Sequence, residues 1–365
     1  MKILFVVDKV SGGAGNVIQL LSMIFRDKGH QPSILFMDGI NVKSRYNLSQ
    51  INLIDFPQKH PELKNKRKLS LILGLKKGLE KEILELNPDV VISFINNNNT
   101  LCCMAMRKMN IPLIVSERIN TLTCEPKGIW KYMRQFVYKR ADKIVVQCRV
   151  FEKFCRNWYL EKTVTIPNPV LAPKISNIKK EDNTFTILSA GRLTSQKNFP
   201  LLIKAFSVVH KEYPNTKLRI IGQGELMDEL KSMSNKLGIS ECTDIPGYSV
   251  NVYDEIAKSD LYVMCSKDEG FPNSLSEAMA VGIPTISYVC HEGIMDLVND
   301  NINGYLIKED IPEVLAEKII WVIKHREEAL RCGENAKQIS DKFSMEKVYN
   351  MWLEIIHDVC ENYNI

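Results

Sequence analysis

Two glutamates stand eight positions apart in "SKDEGFPNSLSEAMAVGIP" (266–284), at the junction of an apolar run and a short helical pattern. A carboxylate at the end of a buried strand loses hydration unless something binds it. Glu269, at the strand end, can accept hydrogen bonds from two sugar hydroxyls, and Glu277, on the helix, can take the two hydroxyls of a ribose. Pro272 suits a first helical turn, where its missing N–H is no loss. The amides of Asn273, Ser274 and Leu275 would then point outward and can hold a phosphate. Sugar, diphosphate and ribose together describe a nucleoside diphosphate sugar. The plainer alternative makes Glu277 a solvated helix residue and Glu269 a capping carboxylate.

A second segment, "AGRLTSQKNFPLLIKAF" (190–206), follows an apolar strand pattern and precedes an apolar helix pattern, and it carries Arg192 and Lys197. Arginine can fork onto phosphate oxygens, while lysine acts as a point charge. A third, "VSGGAGNVIQLL" (10–21), is a glycine-rich turn between the first strand and the first helix. Part of it, "GAGNVI", is two-thirds of a dinucleotide fingerprint, and Asp38 ends the next strand about where a ribose-binding acid would lie. Ile18 occupies the place of the third glycine. A nicotinamide-linked oxidoreductase would also leave Arg192, Lys197 and the glutamate pair without a purpose.

These loops need elements to hold them. Strand patterns at 2–7, 32–37, 89–94, 112–117 and 143–148 alternate with helical ones. The pattern restarts at 185–191, 218–222, 260–266, 284–288 and 304–307. Near-continuous apolar strands separated by helices imply parallel sheets covered on both faces. The reading is therefore α/β, with two doubly wound Rossmann-like domains facing a cleft, where ligands bind beyond the carboxyl ends of the strands. The proline-bearing stretch "TIPNPVLAPKISNIKKEDNTF" is the boundary, giving domains at 1–168 and 169–344. A final amphipathic helix over 345–365 is expected to pack back on the first domain.

The chain has 365 residues, 45% hydrophobic and 25% charged, which suits a water-soluble protein of two domains. Its start reads as a strand and no stretch reaches a membrane span, so a cytosolic location is expected. Ten cysteines show no C-x-x-C pair and read as reduced, mostly buried thiols. Residues 1–170 hold 27 Lys and Arg against 14 Asp and Glu, whereas the remainder holds 21 against 29. A basic first half suits an anionic partner. Two segments concentrate that charge: 59–86, with Lys64, Lys66, Arg67 and Lys68, and 126–140, with Lys127, Lys131, Arg134, Lys139 and Arg140 beside Trp130 and Tyr138. They suit an anionic bilayer face or a lipid diphosphate, or are ordinary solvated helix faces. No aromatic platform or reader motif points to nucleic acid.

The glutamate pair in Glu-Gly-Phe-Pro context resembles the E-x7-E signature of retaining glycosyltransferases of the GT-B fold, family 4 (group 1). The resemblance extends to the Arg192/Lys197 segment, the Gly12–Gly13 loop, "IGQGELMDEL", "IPGYSVNVYDEIAKSDLYVMCS", "IPNPV" and "NINGYLI". It implies transfer of a hexose or N-acetylhexosamine from a UDP-sugar to a glycan, with Arg192, Lys197 and Glu269 at the reaction. Donor contacts are implied for Gly13, Gly247, Tyr248, Gly270, Phe271, Pro272, Asn273, Ser274, Leu275 and Glu277. Departures occur at Asp296, where many relatives carry glutamate, and beside it at His291, a candidate sugar contact. "SERIN" (116–120) replaces a histidine common near the reacting centre and resembles a bacterial subset acting on lipid-linked oligosaccharides. Glu117 and Arg118 are accordingly candidates for the acceptor or the donor sugar, with acceptor binding the assignment made for both, and Asn97 is also assigned to the acceptor. With no D-x-D in the chain, no metal and no cofactor are expected. Peripheral association with the inner face of the cell membrane follows from a lipid-linked acceptor. A GT-B sugar-nucleotide epimerase and an inactive membrane-binding module are the alternatives.

Overall fold

The computed structural model describes residues 1–363 except 41–43, 45, 65–67, 119, 121–122, 124–133, 135, 157–158, 160, 174–182 and 250. The chain divides into two units, Met1–Pro169 with Met345–Ile365, and Val170–Ser344.

In the first unit, alternate side chains of each strand go to opposite faces. Strand β1 (Lys2–Val7) sends Ile3, Phe5 and Val7 to one apolar cluster and Leu4 and Val6 to another. A strand apolar on both faces must be covered on both, which a parallel sheet with crossover helices achieves. Six further strands follow: β2 (Gln31–Phe36), β3 (Asn52–Asp55), β4 (Val90–Phe94), β5 (Leu113–Ser116), β6 (Lys143–Val146) and β7 (Thr163–Thr165). Their spatial order is β3-β2-β1-β4-β5-β6-β7, and every pairing is parallel. Strands β3 and β7 lack the apolar runs by which the others are recognised. β3 is "NLID" and β7 only three residues, so each depends on its neighbour for definition.

One face is covered by the first helix, Gly13–Asp27, and by the last, Met345–Glu361. The last helix buries Val348, Tyr349, Trp352, Ile355, Ile356 and Val359, a stripe at helical spacing. Met351 is part of the same apolar pattern in sequence, yet it lies 36% exposed because it falls off that stripe. Trp352, fully buried, stacks on Phe94 at 5.9 Å between ring centroids.

The second unit repeats the plan with β8 (Phe185–Ala190), β9 (Thr216–Ile221), β10 (Thr243–Gly247), β11 (Leu261–Met264), β12 (Thr285–Tyr288) and β13 (Tyr305–Ile307). The order β10-β9-β8-β11-β12-β13 is again all parallel. Ile187, Leu218 and Val263 feed one cluster, and Leu188, Tyr262 and Met264 the other.

In each sheet the strand order reverses once, between β1 and β4 in the first unit and between β8 and β11 in the second. There the crossovers leave in opposite directions and a crevice opens at the carboxyl ends of the two strands.

Candidate active site

The crevice of the second unit lies between the loops that follow β8 and β11, the two segments bearing Arg192, Lys197 and Glu269. The β8 loop is held by backbone hydrogen bonds from Gly191 N to Ile221 O (2.9 Å) and from Leu193 N to Gln223 O (2.9 Å). Such closeness demands glycine on the facing turn. A Cβ on Gly222 would stand 1.7 Å from the Gly191 carbonyl, and one on Gly224 2.3 Å from that of Leu193. The G-x-G after β9 therefore works by packing against the arginine-bearing loop. That loop ends in a 3-10 turn, Ser195–Lys197, and a left-handed Asn198 (φ 53°) before the helix Phe199–Glu212.

Lys197 Nζ meets Glu269 Oε1 at 2.5 Å, with the side chains 15% and 9% exposed. Gly191 makes room for the lysine stem, since a Cβ there would lie 2.9 Å from Lys197 Cε. Gln196 ties the loops together, donating from Nε2 to Asp268 O (2.6 Å) and accepting Lys267 N–H (2.9 Å). Arg192 is exposed, and among the described residues the only hydrogen bond of its side chain is a 3.5 Å contact to Gln196 Oε1. The structure thus brings the lysine and glutamate into one ion pair and leaves the arginine facing solvent.

The helix after β11 is Asn273–Val281, closed by Gly282 in the left-handed conformation (φ 90°). Pro272 precedes the helix rather than opening it, and its carbonyl accepts Ser276 N–H at 3.0 Å. The Asn273 amide differs from expectation. It turns back to Phe271 O (3.0 Å), so the amides of Ser274 and Leu275 remain as the first-turn donors with no carbonyl one turn earlier in the helix. Phe271 is buried edge-on against Phe343, Leu275 is fully buried, and Gly270 is half-buried. Any role these three have towards a ligand runs through the backbone.

Glu277 is half-buried on the same helix. Its charge and that of Glu269 both reach the Tyr262 hydroxyl, which contacts Ser274 and is pushed up chiefly by burial. Gly247 (φ 94°) accepts Gly222 N–H at 2.8 Å through its carbonyl, and Tyr248 beside it is 63% exposed.

Beyond β12, Cys290 and His291 flank the ion pair. Burial pushes the Cys290 thiol up to about 12, with Glu269 and Asp268 adding to the shift and Lys197 opposing it. His291 Nδ1 accepts Gly293 N–H at 3.0 Å, which leaves the proton of the neutral ring on Nε2. The ring also meets the Glu269 backbone, and burial lowers its pKa. Asp296 ends the short 3-10 helix Glu292–Asp296. The sequence singles out none of Gln196, Tyr262 and Cys290 as a site residue; their roles arise from strands brought side by side.

In the first unit, Gly12 (φ 93°) turns the chain and exposed Gly13 starts the first helix. A Cβ on Gly15 would lie 2.3 Å from Lys9 O, so this glycine serves the tight join of loop and helix. Ile18 is fully buried in the core, and Asp38 pairs with Lys9 at 3.7 Å. Glu117 is 1% exposed and its carboxylate is already engaged. Oε1 accepts Arg134 Nη2 (2.9 Å) and Tyr138 OH (2.5 Å), and the Asn96 amide turns to the same group.

Arg118 is 9% exposed and donates from Nη1 to Asn168 Oδ1 at 2.5 Å. Its guanidinium lies over Phe94 (4.1 Å) and Trp352 (5.6 Å), and burial lowers its pKa to about 9. Asn97 is exposed on the first turn of the helix Asn96–Ala105. Trp130, Lys127, Lys131, Lys66 and Arg67 lie outside the described residues. Among the described residues no cluster of His, Cys, Asp and Glu has metal-binding geometry, and no helix is long and apolar enough to cross a membrane.

Two doubly wound units, one with a cation pair and a glutamate at its switch point, define a GT-B glycosyltransferase. Residues 11–171 match the family model described as Glycosyltransferase Family 4, and residues 172–339 match Glycosyl transferases group 1. A Campylobacter jejuni protein is 30% identical over 284 residues, covering 77% of this chain and 78% of its own. It is named GalNAc-alpha-(1->4)-GalNAc-alpha-(1->3)-diNAcBac-PP-undecaprenol alpha-1,4-N-acetyl-D-galactosaminyltransferase. The chain belongs to this glycosyltransferase family. In fold it is similar to a glycosyltransferase from Rickettsia africae (TM-score 0.82, 20% identity, 99% of both chains). It is equally similar to Anabaena Alr3699/HepE in complex with UDP-glucose (TM-score 0.83, 19% identity, 98% of this chain and all of that one). Family membership removes the oxidoreductase and epimerase alternatives.

Proposed function

We propose that the protein transfers a hexose or N-acetylhexosamine from a UDP-sugar to a glycan carried on a lipid diphosphate, with retention of anomeric configuration and without a metal. The observation that carries this reading is the buried Lys197–Glu269 pair beside exposed Arg192 at the β8/β11 switch point. Breaking the anomeric C–O bond places negative charge on the departing diphosphate and positive charge on the sugar ring. Fixed cations stabilise the former without reorganising, and loss of one such donor typically costs about 100- to 1,000-fold in rate. Arg192 and Lys197 supply that charge, with the Ser274 and Leu275 amides as additional donors. Glu269, held by Lys197, accepts hydrogen bonds from the sugar hydroxyls, and Glu277 takes the ribose. Two cations in this role make a metal bridge to the diphosphate unnecessary.

The lipid-linked acceptor is supported by the Campylobacter relative's name and by the basic first unit. The helix Lys68–Leu86 exposes Leu73 (48%) and Leu84 (63%) beside Lys76, Lys77 and Lys81, a face suited to an anionic bilayer. Lys76 and Lys81 also pair with Glu80 and Glu85, which lowers the net charge of that face. Incubation with UDP-sugars in EDTA, followed by proton NMR of the product's anomeric signal, tests donor, metal and stereochemistry together. Inversion, or a requirement for added Mn2+, refutes the mechanism. Sedimentation with anionic vesicles at low and high salt tests the bilayer contact.

A further inference from the structure

The first unit has its own switch point, and Asp8 and Asn98 span it. Asp8 follows β1 directly, and Asn98 lies in the first turn of the helix that follows β4, so the two close the reversal of strand order between β1 and β4. Asn98 is 2% exposed and both hydrogens of its amide are spent, one on Asp8 Oδ1 (2.6 Å) and one on Phe94 O (3.0 Å). It cannot rotate away without stranding a buried amide. The Asp8 carboxylate is half-buried and fixed through one oxygen; among the described residues its second oxygen has no hydrogen-bond donor.

The backbone just before Asn98 is held in a costly conformation. Ile95, between β4 and the helix, has φ 78°, which a β-branched residue adopts only when its surroundings enforce it. Gly12, four residues after Asp8, turns the chain with φ 93°, a conformation glycine adopts without steric cost. Burial and the nearby Asp38 raise the Asp8 pKa, while the Asn98 hydrogen bond opposes them.

We propose that Asp8, oriented by Asn98, binds a hydroxyl of the acceptor sugar. A carboxylate with one oxygen anchored and one open accepts a hydrogen bond in a defined direction, which suits a sugar hydroxyl. The step involves no proton transfer to Asp8. This inference rests on the glycosyltransferase reading and concerns only the acceptor side. The remaining Asn tract supports the assignment of Asn98 by contrast. Asn96 faces Glu117 and Asn99 donates to Ser116 O (3.0 Å), so both serve the β5 end rather than the switch point.

The test uses saturation-transfer NMR on the full chain with two probes in one tube, UDP and methyl α-N-acetylgalactosaminide. The wild type is expected to transfer saturation to both. D8N and D8A are expected to lower transfer to the glycoside at least fivefold and leave transfer to UDP within twofold. N98A, which frees the carboxylate, is expected to fall between them for the glycoside, again with UDP unchanged. Unaltered glycoside signal in D8A, no glycoside signal in the wild type, or parallel loss of both ligands in D8N and D8A overturns the inference. Failure of the wild type to bind UDP, with the glycoside behaving as described, counts instead against the donor reading.

Discussion

Replacing Lys197 with alanine separates structural from chemical roles in the donor site. In the native protein the Glu269 side chain is 9% exposed and its nearest cation is Lys197, at 2.5 Å. Removing the lysine strands a carboxylate that water barely reaches, and breaking a buried pair from one side costs about 3–5 kcal/mol. Lys197 retains 15% exposure, so the lower end applies, about 3 kcal/mol. For a unit of this size that is roughly 6–12 °C in Tm. Turnover is expected to fall at least about 100-fold through lost stabilisation of the leaving diphosphate. Lys197→Ala combined with Glu269→Gln removes the stranded charge, so thermal stability should recover most of its loss while turnover stays low. Differential scanning calorimetry and UDP release measured on the same samples decide the matter. A Lys197→Ala variant melting within a degree of wild type would show that the pair is not buried in solution. Recovery of turnover in the double variant would refute the leaving-group role.

Arg192→Ala should cost similar turnover with no change in Tm, because the side chain is exposed and makes one weak contact; a melting shift of several degrees contradicts this. Gly222→Ala should destabilise by at least about 2 kcal/mol, since the added methyl would overlap the Gly191 carbonyl; urea titration reads it directly. Trp352→Ala should cost about 3–5 kcal/mol by opening a cavity against Phe94 and Arg118, and unchanged urea midpoints would sink that packing account. His291 is held neutral by burial with its pKa below 6.5, so the unfolded chain binds the extra proton first. Its contribution is therefore complete above pH 6.5 and declines as the pH falls towards the lowered value. His291→Gln should show a shallower loss of stability between pH 7 and 5 than wild type, and identical slopes refute the assignment.

Much of the fold was legible because it is written in local patterns. Five apolar runs in each half mark strands that must be buried on both faces, and glycine and proline mark the joins. The arginine, lysine and glutamate of the donor site were legible as residues, since each follows a strand. Their pairing was not. Lys197 and Glu269 are 72 positions apart and meet only because β8 and β11 are neighbours across the switch point.

The same limit governs the acceptor side. Residue type alone makes Glu117 and Arg118 look available to a ligand, whereas packing engages the Glu117 carboxylate with Arg134, Tyr138 and Asn96 and buries Arg118 between Phe94 and Asn168. Asp8, with no motif around it, emerges only from the order of the strands. Periodicity, breakers and charge act over a few residues and so determined the elements and the fold class from the chain itself. Which polar groups are satisfied and which remain open depends on contacts between residues tens of positions apart, and only the folded sheets decide those.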